Sequence, residues 1–256
     1  MNKEGSQKKR SKKAKVVCII PARYGSSRLP GKPLKDLGGK SVIQRTCEQV
    51  AEVVPDYIVA TDDERIVKEV ESFGGKAMMT RKDHTSGSDR VAEVAKKIEA
   101  DIIVNVQGDE PFIEPGQIKE SVQPLLEDKS LQMATLKTEI KDKKERDKLG
   151  VVKVVCDKND NALYFSRSLI PYPRHGEHAN WFEHVGLYAY RKDFLLKYVS
   201  WQPSELELAE SLEQLRVLHH GYKIRVIKTQ YSRTAPCIDT PEDLKEAREY
   251  LDQQGS

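Results

Sequence analysis

From Val16 to Asp109 the chain alternates short apolar runs with amphipathic stretches. VVCIIPA (16–22) is apolar at successive positions, as a strand buried on both faces requires. In 41–53 (SVIQRTCEQVAEV) the apolar residues recur every three or four positions, which predicts a helix with Ser41 as its cap. DYIVATD is a second strand, 63–75 a helix stopping at Gly74–Gly75, and KAMMT a third strand. SDRVAEVAKKIEA is a third helix and DIIVNVQGD a fourth strand. Strands and helices in strict alternation predict an α/β fold: an open, mostly parallel sheet with helices on both faces.

The rhythm then changes. QMATLKTEI, VVKVVCD, ALYFSR and WFEHVGLYAYR read as strands with few helices between them, which predicts an antiparallel or mixed extension of the sheet. Residues 192–201 and 205–220 read as helices and KIRVIKT as a further strand. A last helix is expected with Thr240 as cap, Pro241 in its first position and Asp243 in its third.

Charge divides the chain. Residues 1–15 carry seven basic residues and one acid, although the whole 256-residue chain is only +3. The remainder is therefore negative by three, which argues against a nucleic-acid-binding body. The expected organisation is a disordered basic tail, 1–15, before one domain, 16–256, with weak non-specific nucleic-acid contact left to the tail. No membrane span or signal-peptide core is legible, and no membrane partner is expected. The four cysteines form no CxxC pair. The chain reads as a reduced, cytosolic, soluble protein.

Three segments carry chemistry. PARYGSSRLPGK (21–32) follows the first strand, at the strand end where ligands bind in open α/β sheets. Its Arg23, Arg28 and Lys32, set among Gly25, Ser26, Ser27 and Gly31, suit a triphosphate. Five residues separate Gly25 from Gly31 and Pro33 follows Lys32, so it is not a Walker A loop. VNVQGDEP (104–111) places Asp109 at the end of the fourth strand, a natural Mg²⁺ ligand, with Gly108 allowing a ligand or metal to come close. CIDTPEDL (237–244) offers Asp239, either as the second carboxylate of a nucleotide-bound Mg²⁺ or merely as support for the start of the last helix. His175 and His178 resemble a metal site only superficially and read as a surface loop.

PARYGSSRLPGKPL, ATDD, DHTSGSDR, VNVQGDEP, ALYFSR, WQPSELELAESLEQLRVL and IDTPEDL, in this order, resemble the 3-deoxy-manno-octulosonate (KDO) cytidylyltransferases over roughly Val16 to Leu251. The resemblance implies a nucleotide-diphospho-sugar transferase fold whose antiparallel extension forms the sugar and dimer region. It implies the reaction CTP + KDO → CMP-KDO + diphosphate, a Mg²⁺ cofactor, a homodimer and a role in lipopolysaccharide synthesis. By the same resemblance Arg23, Lys32, Asp109 and Asp239 are catalytic, the two aspartates holding the metal. Arg23, Arg28, Lys32, Arg81, Ser86, Gly87 and Arg90 match CTP contacts. Gln107, Arg167, His184, Tyr188, Glu213 and Gln214 match KDO contacts. The chain departs from the family at Ser88–Asp89, where Thr-Glu is common, and at Glu183, where a basic residue is common.

The nearest rivals are cytidylyltransferases for N-acylneuraminate or 8-amino-KDO. The segments holding Tyr188 and Glu213–Gln214 favour KDO over neuraminate and leave the 8-amino sugar open. A non-catalytic nucleotide-binding protein that uses its tail is the alternative from another class.

Overall fold

A computed structural model describes residues 13–26, 28–175, 180–231 and 237–254. Ser27, His178 and residues 1–12 of the expected tail lie outside the described residues. Lys15, read from the sequence as the tail's end, is tied to the sheet instead. Its N–H donates to the Asp101 carboxylate at 2.6 Å, and its carbonyl accepts from the amides of Asp101 and Ile102.

The first half alternates as expected: β1 (Val16–Ala22), α1 (Val42–Ala51), β2 (Tyr57–Thr61), α2 (Glu64–Ser72), β3 (Ala77–Met79), α3 (Gly87–Lys96) and β4 (Ile102–Asn105). Then come α4 (Pro115–Glu127), β5 (Met133–Glu139), the one-turn α5 (Lys143–Arg146), β6 (Lys153–Cys156), β7 (Ala162–Ser166) and β8 (Phe182–Arg191). The chain closes with α6 (Lys192–Tyr198), α7 (Glu205–Glu210), α8 (Leu215–His219), β9 (Arg225–Lys228) and α9 (Pro241–Gln254). The helix α4, with Pro115 in its first turn, had not been singled out in the pattern.

The nine-stranded sheet runs β3-β2-β1-β4-β8-β5-β9, with the β6–β7 pair attached at the edge of β8. β3, β2, β1 and β4 are parallel, whereas β8 runs antiparallel between β4 and β5. Alternation along β1 divides the core. Val17 and Ile19 join Val91, Val94 and Phe194 under α3 and α6, while Cys18 and Ile20 join Ile43, Val50 and Ile118 under α1 and α4. A third cluster, Leu29, Leu37, Ile238, Leu244 and Ala247, docks α9 against the loop after β1.

The single helix expected over 205–220 is broken. Ser211 adopts a left-handed conformation (φ 53°) that ends α7, and α8 starts again at Leu215. The buried Arg216–Glu207 ion pair spans the break, and Arg216 Nε donates to Glu207 at 2.7 Å. Apolar periodicity runs through such a break unaltered, so the pattern could not reveal it.

Gly108, which lines a cleft, is also a point of close approach for the protein's own backbone. A Cβ there would lie 2.9 Å from the Pro21 carbonyl and 3.2 Å from Ala22 Cβ. The glycine lets the chain after β4 close against the end of β1, where the Gly108 N–H donates to the Pro21 carbonyl at 3.3 Å. Gly108→Ala should therefore cost about 1–3 kcal/mol, because backbone on both sides must move. Urea unfolding checks this, and an unchanged midpoint would contradict the close packing.

Candidate active site

A cleft of about 340 Å³ opens at the carboxyl ends of β1 and β4. The loop after β1 supplies Arg23, Ser26, Arg28 and Lys32, and the turn after β4 supplies Gln107, Gly108 and Asp109. The start of α3 adds Ser86 and Gly87, and Asp239 enters just ahead of α9.

Lys32 stands where these segments meet. Gly31 precedes it in a left-handed conformation (φ 68°), and a Cβ at Gly31 would meet the Tyr24 ring at 3.1 Å. That turn buries the Lys32 stem, leaving its side chain 12% exposed. Its ammonium donates to Asp109 Oδ2 at 2.5 Å and to Asp239 Oδ1 at 2.9 Å. Arg28 reaches the other oxygen of Asp239 at 3.1 Å. Burial works against the Lys32 charge, but Asp109 and Asp239 outweigh it and raise the pKa above the usual lysine value. Burial likewise opposes ionisation of Asp239, and Lys32 and Arg28 outweigh it, lowering that pKa.

The two aspartates are neighbours by backbone construction. The Ile238 N–H donates to the Asp109 carbonyl at 3.1 Å, which fixes Asp239 beside Asp109. Asp243, not Asp239, supports the helix start. Its carboxylate accepts from the amides of Asp239 and Thr240, while its own N–H donates to Thr240 Oγ1 at 3.1 Å. The Asp239 carboxylate is thereby left to the cleft. Two carboxylates converging on one cation position form a hard oxygen donor set, which suits Mg²⁺ shared with phosphate oxygens and water. Among the described residues no group of three or more His, Cys, Asp or Glu could hold a metal.

The start of α3 forms the opposite wall. Ser86 caps it, accepting from the Asp89 N–H and donating to the Asp89 carboxylate at 3.0 Å. The Asp89 that departs from the family thus completes the cap. Arg90 is nearly buried, with its guanidinium on Asp62 at 2.9 Å and on Thr80 Oγ1 at 2.6 Å. Ser88, the other departure, keeps a hydroxyl that donates to Glu213 Oε2 at 2.7 Å. Burial raises the Glu213 pKa.

The expected site residues divide into two sets. Arg23, Arg28, Lys32, Ser86, Gly87, Arg90, Gln107, Asp109, Glu213 and Asp239 line the cleft. Arg81, Arg167, His184, Tyr188 and Gln214 do not. The exposed Arg81 lines an adjoining cavity and pairs with Asp83 at 3.6 Å. Arg167 donates to backbone carbonyls, including that of Glu210 at 2.7 Å. His184 and Tyr188 lie on β8 with ring centroids 5.4 Å apart. In the β4–β8 register Tyr188 faces Asn105, whose carboxamide accepts from Gln107 at 3.2 Å. The buried Gln214 has a side-chain nitrogen with no hydrogen-bond partner.

Two groups escaped sequence reasoning. His84 and Thr85 also line the cleft, and His84 Nε2 lies 2.7 Å from Glu93. Asp62 accepts from both Arg90 and the Tyr24 N–H, joining α3 to the loop after β1. Their segments, DHTSGSDR and ATDD, are part of the family resemblance, but no spacing rule assigns these side chains.

Residues 17–224 match the family model described as cytidylyltransferase. The chain is 49% identical over 239 residues to a 3-deoxy-manno-octulosonate cytidylyltransferase of Fusobacterium nucleatum, covering 93% of this chain and 97% of that protein. An Escherichia coli protein of the same name is 49% identical over 243 residues, covering 94% and 98%. A CMP:2-keto-3-deoxy-manno-octonic acid synthetase solved with CTP superposes with a TM-score of 0.91 at 48% identity, covering 94% of this chain and all of that one. A 4-diphosphocytidyl-2C-methyl-D-erythritol synthase from Anaerococcus prevotii, 19% identical with a TM-score of 0.62, shares the fold. The chain belongs to the cytidylyltransferase family. Within it, the chain is one of the 3-deoxy-manno-octulosonate cytidylyltransferases.

The buried His184 carries a pH prediction. Thr135 Oγ1 donates to the Leu187 carbonyl at 2.8 Å, so it accepts from His184 Nε2 at 3.0 Å, which selects the neutral Nε2–H tautomer. Burial pulls the His184 pKa from 6.5 to about 3. The unfolded chain therefore binds the extra proton first, and stability declines as pH falls from 6.5 toward 3. NMR of the ring protons should show His184 neutral at pH 5, and a midpoint near 6.5 would overturn the assignment.

Proposed function

We propose that this protein transfers CMP from CTP to the anomeric hydroxyl of KDO, releasing diphosphate, for lipopolysaccharide synthesis. The observation that carries the mechanism is the cleft in which Lys32 bridges Asp109 and Asp239 beneath Arg23 and Arg28. Three cations at one end of the cleft suit the triphosphate. Glu213 and Gln107, on its wall, offer hydrogen-bonding groups to a polyhydroxylated acid.

The reaction is an in-line displacement. The sugar hydroxyl attacks the α-phosphorus and gives up its proton to solvent, the bond to the bridging oxygen breaks, and the electron pair leaves with diphosphate. Arg23, Arg28 and Lys32 neutralise the charge growing on that leaving group. The incoming phosphates offer Lys32 and Arg28 other anions to neutralise, and Asp109 and Asp239 are the residues that would hold Mg²⁺. When bound there, Mg²⁺ supplies neutralising charge and polarises phosphate oxygens. The wall at the start of α3 and the turn after β4 hold both substrates in register, so catalysis rests on positioning and charge. No covalent enzyme intermediate is required.

Two further readings belong to this proposal. Among the described residues no helix is long and apolar enough to cross a membrane, and we assign the protein to the cytoplasm. We also assign it a homodimer. Leu149, Leu163, Tyr172 and Leu208 are apolar and 62–80% exposed, on or beside the β6–β7 hairpin and α7, and we place the subunit contact there.

Diphosphate release tests the reaction. Release with CTP and KDO together, and not with ATP, GTP or UTP, is expected. Release with neuraminate or 8-amino-KDO but not KDO would move the substrate, and none with any sugar would remove the activity. Asp109→Ala should lower kcat by about a hundredfold or more, and near-normal turnover would remove the metal assignment. Gln214→Ala should raise KM for the sugar about tenfold, with KM for CTP nearly unchanged. Equal changes in both constants would dissociate Gln214 from sugar binding.

A further inference from the structure

The break between α7 and α8 is held from outside by the end of β7. Ser211, the left-handed residue, is exposed, so packing of its own side chain does not impose its conformation. For a non-glycine residue that conformation is strained. The carbonyls on either side of the turn both accept from one side chain: Arg167 Nε donates to Glu210 O at 2.7 Å and Nη2 to Ser211 O at 3.4 Å. A planar guanidinium bound to two successive carbonyls fixes the orientation of both peptide groups.

Glu210 returns the contact. Its carboxylate accepts from Ser166 Oγ at 2.6 Å and from the Arg167 N–H at 2.9 Å. Arg167 is itself anchored, because the Lys153 ammonium, on a residue 1% exposed, donates to the carbonyls of Arg167, Val151 (2.7 Å) and Lys148 (3.0 Å). Beyond the turn the chain delivers Glu213 to the cleft wall and buries Gln214 with its side-chain nitrogen unpartnered. Were α7 to continue as a regular helix, both residues would be rotated away from these places, since each residue advances a helix by about 100°.

We propose that Glu210, acting with Arg167, is a positioning residue whose reciprocal bonds lock the left-handed turn at Ser211 and so aim Glu213 and Gln214 at the sugar. This rests on the sugar-nucleotide reading of the cleft. It gives Arg167 a role that does not depend on touching the sugar. Neither Glu210 nor Arg167 lines the cleft or bonds to the described residues of the loop carrying Arg23 to Lys32, so the clamp should leave the nucleotide contacts undisturbed.

Glu210→Ala and the milder Arg167→Lys, in the full chain, test this with two readouts. Amide hydrogen exchange should accelerate about tenfold or more at Leu212, Arg216 and Val217, and stay unchanged at Gly108 and Arg90. In steady-state kinetics KM for KDO should rise about tenfold while KM for CTP stays within about twofold, and Glu210→Gln should recover part of the loss because it keeps one acceptor oxygen. Unchanged exchange across 211–217 in both variants would overturn the proposal. So would loss of protection throughout the protein in both, since the clamp would then hold the fold rather than the turn. A wild-type protein inactive toward KDO would refute the assigned reaction, while the exchange data would still decide for or against the clamp.

Discussion

Everything at the site depends on how two carboxylates are held side by side. Asp109 lies in the turn after β4 and Asp239 just ahead of α9, far apart in the chain, and a backbone hydrogen bond from Ile238 to Asp109 sets them together. Without a cation between them the two carboxylates would repel each other. Lys32 provides that cation, and its position follows from the Gly31 turn and the packing of α9 against the loop after β1. An ion pair built this way is exchangeable. In the proposed reaction a nucleotide would bring anions for Lys32 and Arg28, and Asp109 and Asp239 are the residues that would hold a metal cation.

The rest of the fold is arranged around that exchange. β1 and β4 are adjacent and parallel, so their carboxyl ends open on one side, and Gly108 lets them converge. Asp62 and Arg90 tie the start of α3 to the same rim. β8, antiparallel beside β4, carries His184 and Tyr188, with Tyr188 in register with the strand leading to Gln107 and Asp109. In the proposed reaction the parallel half would address the phosphates, and the antiparallel half would lead from the turn after β4 toward the sugar.

Much of this was legible in the residues. The alternation from β1 to β4 is strongly periodic, and buried parallel strands leave little ambiguity in such runs. The antiparallel extension showed as a loss of helices between strands. Arg28, Lys32 and Asp109 could be picked out because charged residues directly after apolar strands have few structural reasons to be there. Asp239 could not be separated from a helix-capping residue, because the cap and the ligand lie in the same short segment. The break at Ser211, the backbone packing at Gly108 and the use of Arg167 on carbonyls left no trace in the pattern. Each depends on atoms brought in from distant parts of the chain.

The sequence by itself determined the strand–helix order, the open α/β class, the strand-end location of the basic loop and acidic turn, and the kinship to KDO cytidylyltransferases. These follow from local periodicity and from short motifs in a fixed order. Only the tertiary structure decided which side chains meet. It placed Lys32 between the aspartates, turned the Asp243 carboxylate back onto the amides of Asp239 and Thr240, set His184 neutral against Thr135, and brought Glu213 to the cleft wall beyond a left-handed serine. The physical reason is that propensity and pattern act within a few residues, whereas hydrogen bonds and charge pairs act over a few ångströms between residues the fold has brought together from far apart in the chain.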